Sequence, residues 1–218
     1  MRSDVLPALM SATAVLGGGA FIVPSAQFGP VSEFMAMHIV IMNVAAPVFA
    51  IALVHVPRSV TVRPFLLWVS AGLQGLFLLL WHLPSFHAAA MGSVLIESTM
   101  TALLVFSASY FWLLVLRAGV IAPWQAMLVL MITGKVACLV GGILLFAPRN
   151  LYAATLHGMH PFGMLGLEDQ QLAGLLMISV CPLSYVIAGV VIAAQMLLRL
   201  EKPTGQDRPS GTRQLLTR

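Results

Sequence analysis

The residues of this chain best able to do chemistry are its six histidines and thirteen methionines, and most of the informative ones cluster toward one end of its apolar segments. Imidazole nitrogen and thioether sulfur together suit Cu(I) better than a hard cation. His38 has Met35 three residues before it and Met42 four after it, so on a helix each can share its face. His82 and His87 flank the end of a later segment, Glu97 opens the next, and His157 and His160 lie in the longest connection. Two plain alternatives compete: methionine is a common filler of helix contacts, and a histidine can simply hydrogen-bond a neighbouring helix. A histidine at membrane depth is costly unless paired or functional, which gives His38 particular weight.

Other chemistry is missing. The chain has no Gly-rich phosphate loop, no Cys-x-x-Cys, no Cys-x-x-Cys-His and no candidate for a soluble catalytic triad. Nothing in it reads as an enzyme. Its two cysteines, Cys138 and Cys181, both fall in apolar segments and read as small buried side chains.

Positioning these groups falls to six apolar stretches, at 5–23, 34–54, 65–80, 94–116, 124–146 and 172–198. Each is about long enough, at ~1.5 Å per residue, to cross or nearly cross a ~30 Å hydrocarbon layer. A composition 60% hydrophobic and 8% charged has the same meaning: an all-α, polytopic transmembrane helical bundle over residues 1–200. Residues 201–218 read as a polar cytoplasmic tail without fixed structure.

The charge pattern orients the bundle. Arg2, the Arg58/Arg63 gap, Arg117 and the C-terminal cations alternate with gaps that carry no Lys or Arg, or only Arg149 beside Glu168 and Asp169. By the positive-inside rule both termini are cytoplasmic, and His38, His82, Glu97, His157 and His160 lie toward the outside. The net charge of +4 follows from topology and carries no nucleic-acid signal, because no basic helix or aromatic interleaving accompanies it. The expected surroundings are therefore a lipid bilayer, with no nucleic-acid partner.

Several local features shape the expectation. Residues 1–26 resemble a signal peptide, but Pro24 and the length of the apolar run favour an uncleaved helix. Pro47, close after Asn43, should interrupt the second span and expose a carbonyl near mid-membrane. Pro64 should start the third span, and Leu83-Pro84 should stop it. Gly72, Gly75, Gly134, Gly141, Gly142, Ala173 and Gly174 mark places for close helix approach. Lys135 could snorkel outward to Glu97. In the long outer segment 147–171, residues 151–157 could form a short interfacial helix, and Glu168 and Asp169 suit the first turn of the last helix as caps.

Four blocks carry a family resemblance. Leu167-Glu168-Asp169-Gln170-Gln171-Leu172-Ala173-Gly174 resembles the signature of the CtaG-like cytochrome c oxidase assembly factors, and Phe146-Ala147-Pro148-Arg149-Asn150-Leu151-Tyr152 resembles the segment before it. Trp81-His82-Leu83-Pro84 followed by Glu97, and Met37-His38-Ile39-Val40-Ile41-Met42 followed by Ala45-Ala46-Pro47, resemble two further blocks. The blocks stand in family order between Val31 and about Leu198. The resemblance implies a multi-pass protein of the bacterial inner membrane that helps assemble a haem-copper oxidase, in a family often associated with copper supply. Two positions depart from it: Phe34 and Ser98 stand where the family's pattern places histidines.

The residue reading and the resemblance meet on the outer half of the bundle. His38 and His82 are the expected first metal ligands, with Glu97 as a ligand or as a group that orients one. Met35, Met42, His157 or His160 could complete the site, and Arg149, Glu168, Asp169 and Gln170 are further candidates in the outer loop. The leading function is transient copper binding and delivery to a cytochrome oxidase subunit or another assembly factor. A metal-free membrane chaperone for an oxidase subunit is the second reading, and a b-type haem protein using His38 and His82 is the third.

Overall fold

The computed structural model describes residues 28–54, 63–153 and 166–200, and among these only helices, turns and short joints occur. The chain runs through α1 (Pro30–Val40), a π-helical turn (Ile41–Ala45) and α2 (Ala46–Val54) as one continuous span. It continues through α3 (Pro64–His82), α4 (Pro84–Gly92), α5 (Val94–Ile121), α6 (Pro123–Phe146), α7 (Leu167–Ser179) and α8 (Cys181–Leu200). Among the described residues, five segments are long and apolar enough to cross a membrane: Pro30–Val54, Pro64–His82, Val94–Ile121, Pro123–Phe146 and Leu167–Leu200. These correspond to the second to sixth apolar stretches. The first stretch, the question of its cleavage and the tail lie outside the described residues.

Helix starts follow the prolines. α1, α3, α4 and α6 each have a proline in the first turn, where the missing N–H costs nothing because that group has no intrahelical partner. Pro84 therefore does two things: it follows the end of α3, as expected, and it begins α4, a short helix absent from the six-span reading.

The interior is built from Trp81, Trp112, Phe111, Leu104, Leu114 and Leu130, all buried, while Phe65, Phe106, Leu139 and Phe146 face outward as lipid-facing side chains should. α6 packs against both α7 and α8, and α1 against α7. At the α6–α7 crossing the backbones nearly touch. A Cβ on Gly174 would meet the Leu145 nitrogen at 2.6 Å and the Gly141 oxygen at 2.7 Å; one on Gly141 would meet the Gly174 oxygen at 2.9 Å. Gly72, Gly75 and Gly142 face open space instead, so their expected role in close approach is corrected.

Two breaks have identifiable causes. In the first described span the Ala46 N–H reaches back five residues to the Ile41 carbonyl. The Met42 carbonyl would then look to the N–H of residue 47, which is Pro47 and has none. Trp112 on α5 supplies the missing donor: its indole N–H bonds to the Met42 oxygen at 2.9 Å. Nearby, the Ser184 hydroxyl donates to the Asn43 side-chain oxygen, and the Asn43 amide lies 3.6 Å from the Cys181 sulfur. In the last span Pro182 interrupts the ladder, dividing it into α7 and α8 at Val180.

Candidate functional site

α1 carries His38 two turns in from Pro30, with Met35 three residues before it and Met42 four after, all buried. The apolar stretch alone places the start of this span at residue 34, one turn too late, because Ser32 and Glu33 dilute the pattern. α3 carries His82 as its last residue. The two imidazoles meet edge to face, with ring centroids 4.8 Å apart.

The hydrogen bonding of this pair is incomplete. His82 Nδ1 lies 2.6 Å from the Leu78 carbonyl oxygen. A carbonyl only accepts, so Nδ1 carries the proton and the lone pair of a neutral ring is left on Nε2. That Nε2 is buried without a partner, and so are both ring nitrogens of His38. Burying an unsatisfied polar group costs about 1–3 kcal/mol. A neutral imidazole offers one lone pair, so the two rings present two nitrogen donors of the right chemistry for a soft or borderline cation.

An aromatic cluster lies beside the pair. Phe34 stacks on Trp81 at 4.8 Å and meets His87 edge-on at 4.4 Å. Tyr152 donates from its hydroxyl to the His82 carbonyl at 2.8 Å, and its ring lies 5.1 Å from His87. Burial lowers the His87 pKa below its ordinary 6.5, so the ring is neutral at pH 7. Burial raises the Tyr152 pKa above its ordinary 10, which keeps the phenol protonated as a donor.

Of the other expected residues, those that the structure describes stand apart from the pair. Glu97 is exposed in the first turn of α5, and among the described residues no group of three or more His, Cys, Asp or Glu stands together in a way that could hold a metal. Lys135 is exposed too. At ~1.5 Å rise per residue it lies ~16 Å from the Phe146 end of α6, whereas Glu97 lies ~5 Å from the same end of the bundle. The suggested contact between them is not made. His157 and His160 lie outside the described residues, as does most of 151–157, of which Leu151–Ala153 form a turn.

Asp169 and Gln170 have a different use from the one expected. Asp169 sits in the first turn of α7, yet its carboxylate caps α1: it accepts from the Val31 N–H at 2.8 Å and the Ser32 N–H at 3.0 Å. The Ser32 hydroxyl donates to the same carboxylate. These are the N–H groups that a helix leaves unpaired at its start, and Asp169 is fully buried over them. Gln170 accepts from the Leu151 N–H at 2.7 Å and donates to the carbonyls of Leu144 at 3.0 Å and Arg149 at 3.3 Å. It closes the end of α6 and pins the segment after it. The Arg149 and Glu168 side chains are exposed. The most distinctive run of the sequence is thus a clasp that joins α7 to α1 and α6.

Sequence reasoning gave too little weight to His87 and Tyr152. The available signal was Pro84: a first-turn proline implies a new helix, and a helix returning over the end of α3 carries His87 inward.

A family model described as cytochrome c oxidase caa3 assembly factor matches residues 24–199, most of the 218-residue chain. No curated protein and no solved structure matches it.

Proposed function

Because the chain belongs to the caa3-type cytochrome c oxidase assembly factor family, we propose that it works as a membrane-embedded assembly factor that holds Cu(I) transiently at His38 and His82 and passes it to an oxidase subunit. The observation that carries this reading is the contact between two buried imidazoles, three of whose four nitrogens have no partner. Met35 and Met42, both buried, offer thioether sulfur to complete the coordination. His157, His160 or Glu97 would serve instead if they approach when the ion is bound. Few ligands suit this work, since an ion that must be handed on should not be fully enclosed. In this reading the pair faces outward from a bacterial inner membrane, with the charge pattern supporting that side, and the role is non-enzymatic.

The test is the copper content of the oxidase in cells carrying His38→Ala or His82→Ala. The expected result is a copper-poor, weakly active oxidase beside a normal amount of the assembly factor. Normal oxidase copper in both variants would sink the proposal.

A metal-free scaffold is the second reading. It draws on the absence, among the described residues, of a metal-holding group of three His, Cys, Asp or Glu. It expects changes at Arg149 or Asp169 to impair oxidase assembly far more than His38→Ala. The haem reading fares worse. Axial imidazoles bind iron from opposite faces of a macrocycle, and rings in edge-to-face contact at 4.8 Å leave no space for one.

A further inference from the structure

We propose that His87 is a third nitrogen ligand of this site, brought to the His38–His82 pair by a shift of α4. The inference rests on the copper-binding reading above and adds a residue and a motion to it.

His87 is 1% exposed, and neither of its ring nitrogens meets a hydrogen-bond partner. In a nest made by Phe34 and Tyr152, a phenylalanine would pack without that penalty. The unpaired imidazole therefore needs a reason other than packing. Its position supplies one. Phe34 lies one helical turn before His38, and Tyr152 is hydrogen-bonded to the His82 carbonyl. His87 touches both, so a single layer of side chains separates it from the pair.

α4 is suited to a small displacement. Single extended residues, Leu83 and Ser93, join it to α3 and α5, and only His87 and Ala90 of its nine residues are buried. A rotation about these two joints, with the Phe34 ring turning aside, would carry the imidazole inward while α3 and α5 remain in place. Three neutral imidazoles form a complete soft-to-borderline donor set. Withdrawal of one would loosen the ion, as a site that releases its cargo requires.

The experiment uses the full-length protein purified in detergent and loaded anaerobically with Cu(I). Affinity comes from competition with a chromophoric chelator, and the number of nitrogen ligands from X-ray absorption. The variants are His87→Phe, which keeps a ring in the nest, and Phe34→His/His87→Phe, which returns an imidazole to the same contact from the other side. Wild type should show three nitrogens. His87→Phe should retain copper with one nitrogen fewer and at least about tenfold weaker binding, and the double variant should recover both. Unchanged affinity and nitrogen count in His87→Phe, or in His87→Asn if the phenylalanine variant does not fold, would overturn the role of His87 while leaving the pair intact. Failure of wild type to bind Cu(I) at all would overturn the underlying reading and this inference with it.

Discussion

Trp112 donates its indole N–H to the Met42 carbonyl oxygen, and this one bond repairs the break that Pro47 makes in the span carrying His38. Inside a membrane no water can take over the freed carbonyl, so another helix must. Trp112→Phe keeps the stacking surface and removes the donor. It should destabilise the protein by about 1–3 kcal/mol, read as a lower unfolding midpoint in detergent. Pro47→Ala restores a backbone donor to the same stretch, so the pair of changes should cost less than their sum. Strict additivity would show that the two residues are not coupled.

Asp169→Ala would leave the Val31 and Ser32 N–H groups unpaired at the start of α1. Loss of a helix cap typically costs about 0.5–2 kcal/mol, and the full burial of this one favours the upper end. Hydrogen exchange should speed up selectively in the first turn of α1. Exchange that stays unchanged there would contradict the capping role.

Gln170→Glu is nearly isosteric, but it replaces an NH2 that donates to two carbonyls with an oxygen that repels them. Each carbonyl left unsatisfied should cost about 1–3 kcal/mol. Limited proteolysis should then cut the segment after α6 sooner than in wild type. An equal rate would mean that Gln170 does not pin it.

Gly174→Ala should damage the α6–α7 crossing, because the added methyl would meet backbone rather than a flexible side chain. Overpacking of this kind costs about 1–3 kcal/mol. Gly72→Ala, at a position facing open space, serves as the control and should leave the unfolding midpoint nearly unchanged.

These residues also show what could be read from the sequence and what could not. Span positions are set by local hydropathy and proline placement, so five of the six apolar stretches recur with ends shifted by a few residues. The Pro47 break was equally local. What Asp169 does was not local: its partners, Val31 and Ser32, are more than 130 residues away. A carboxylate in the first turn of one helix looks the same in sequence whether it caps that helix or another. The contact between His38 and His82 is also long-range, and hydropathy could only place both histidines toward one end of the bundle. His87 needed recognition of α4, which is too short and too weakly apolar to register as a span.

The most direct test of the account is Cu(I) binding by the purified protein, loaded anaerobically, beside a His38→Ala/His82→Ala double variant of matched folding. The account predicts close to one copper per wild-type chain and none retained by the variant. Equal copper in both, or none in either, would contradict it.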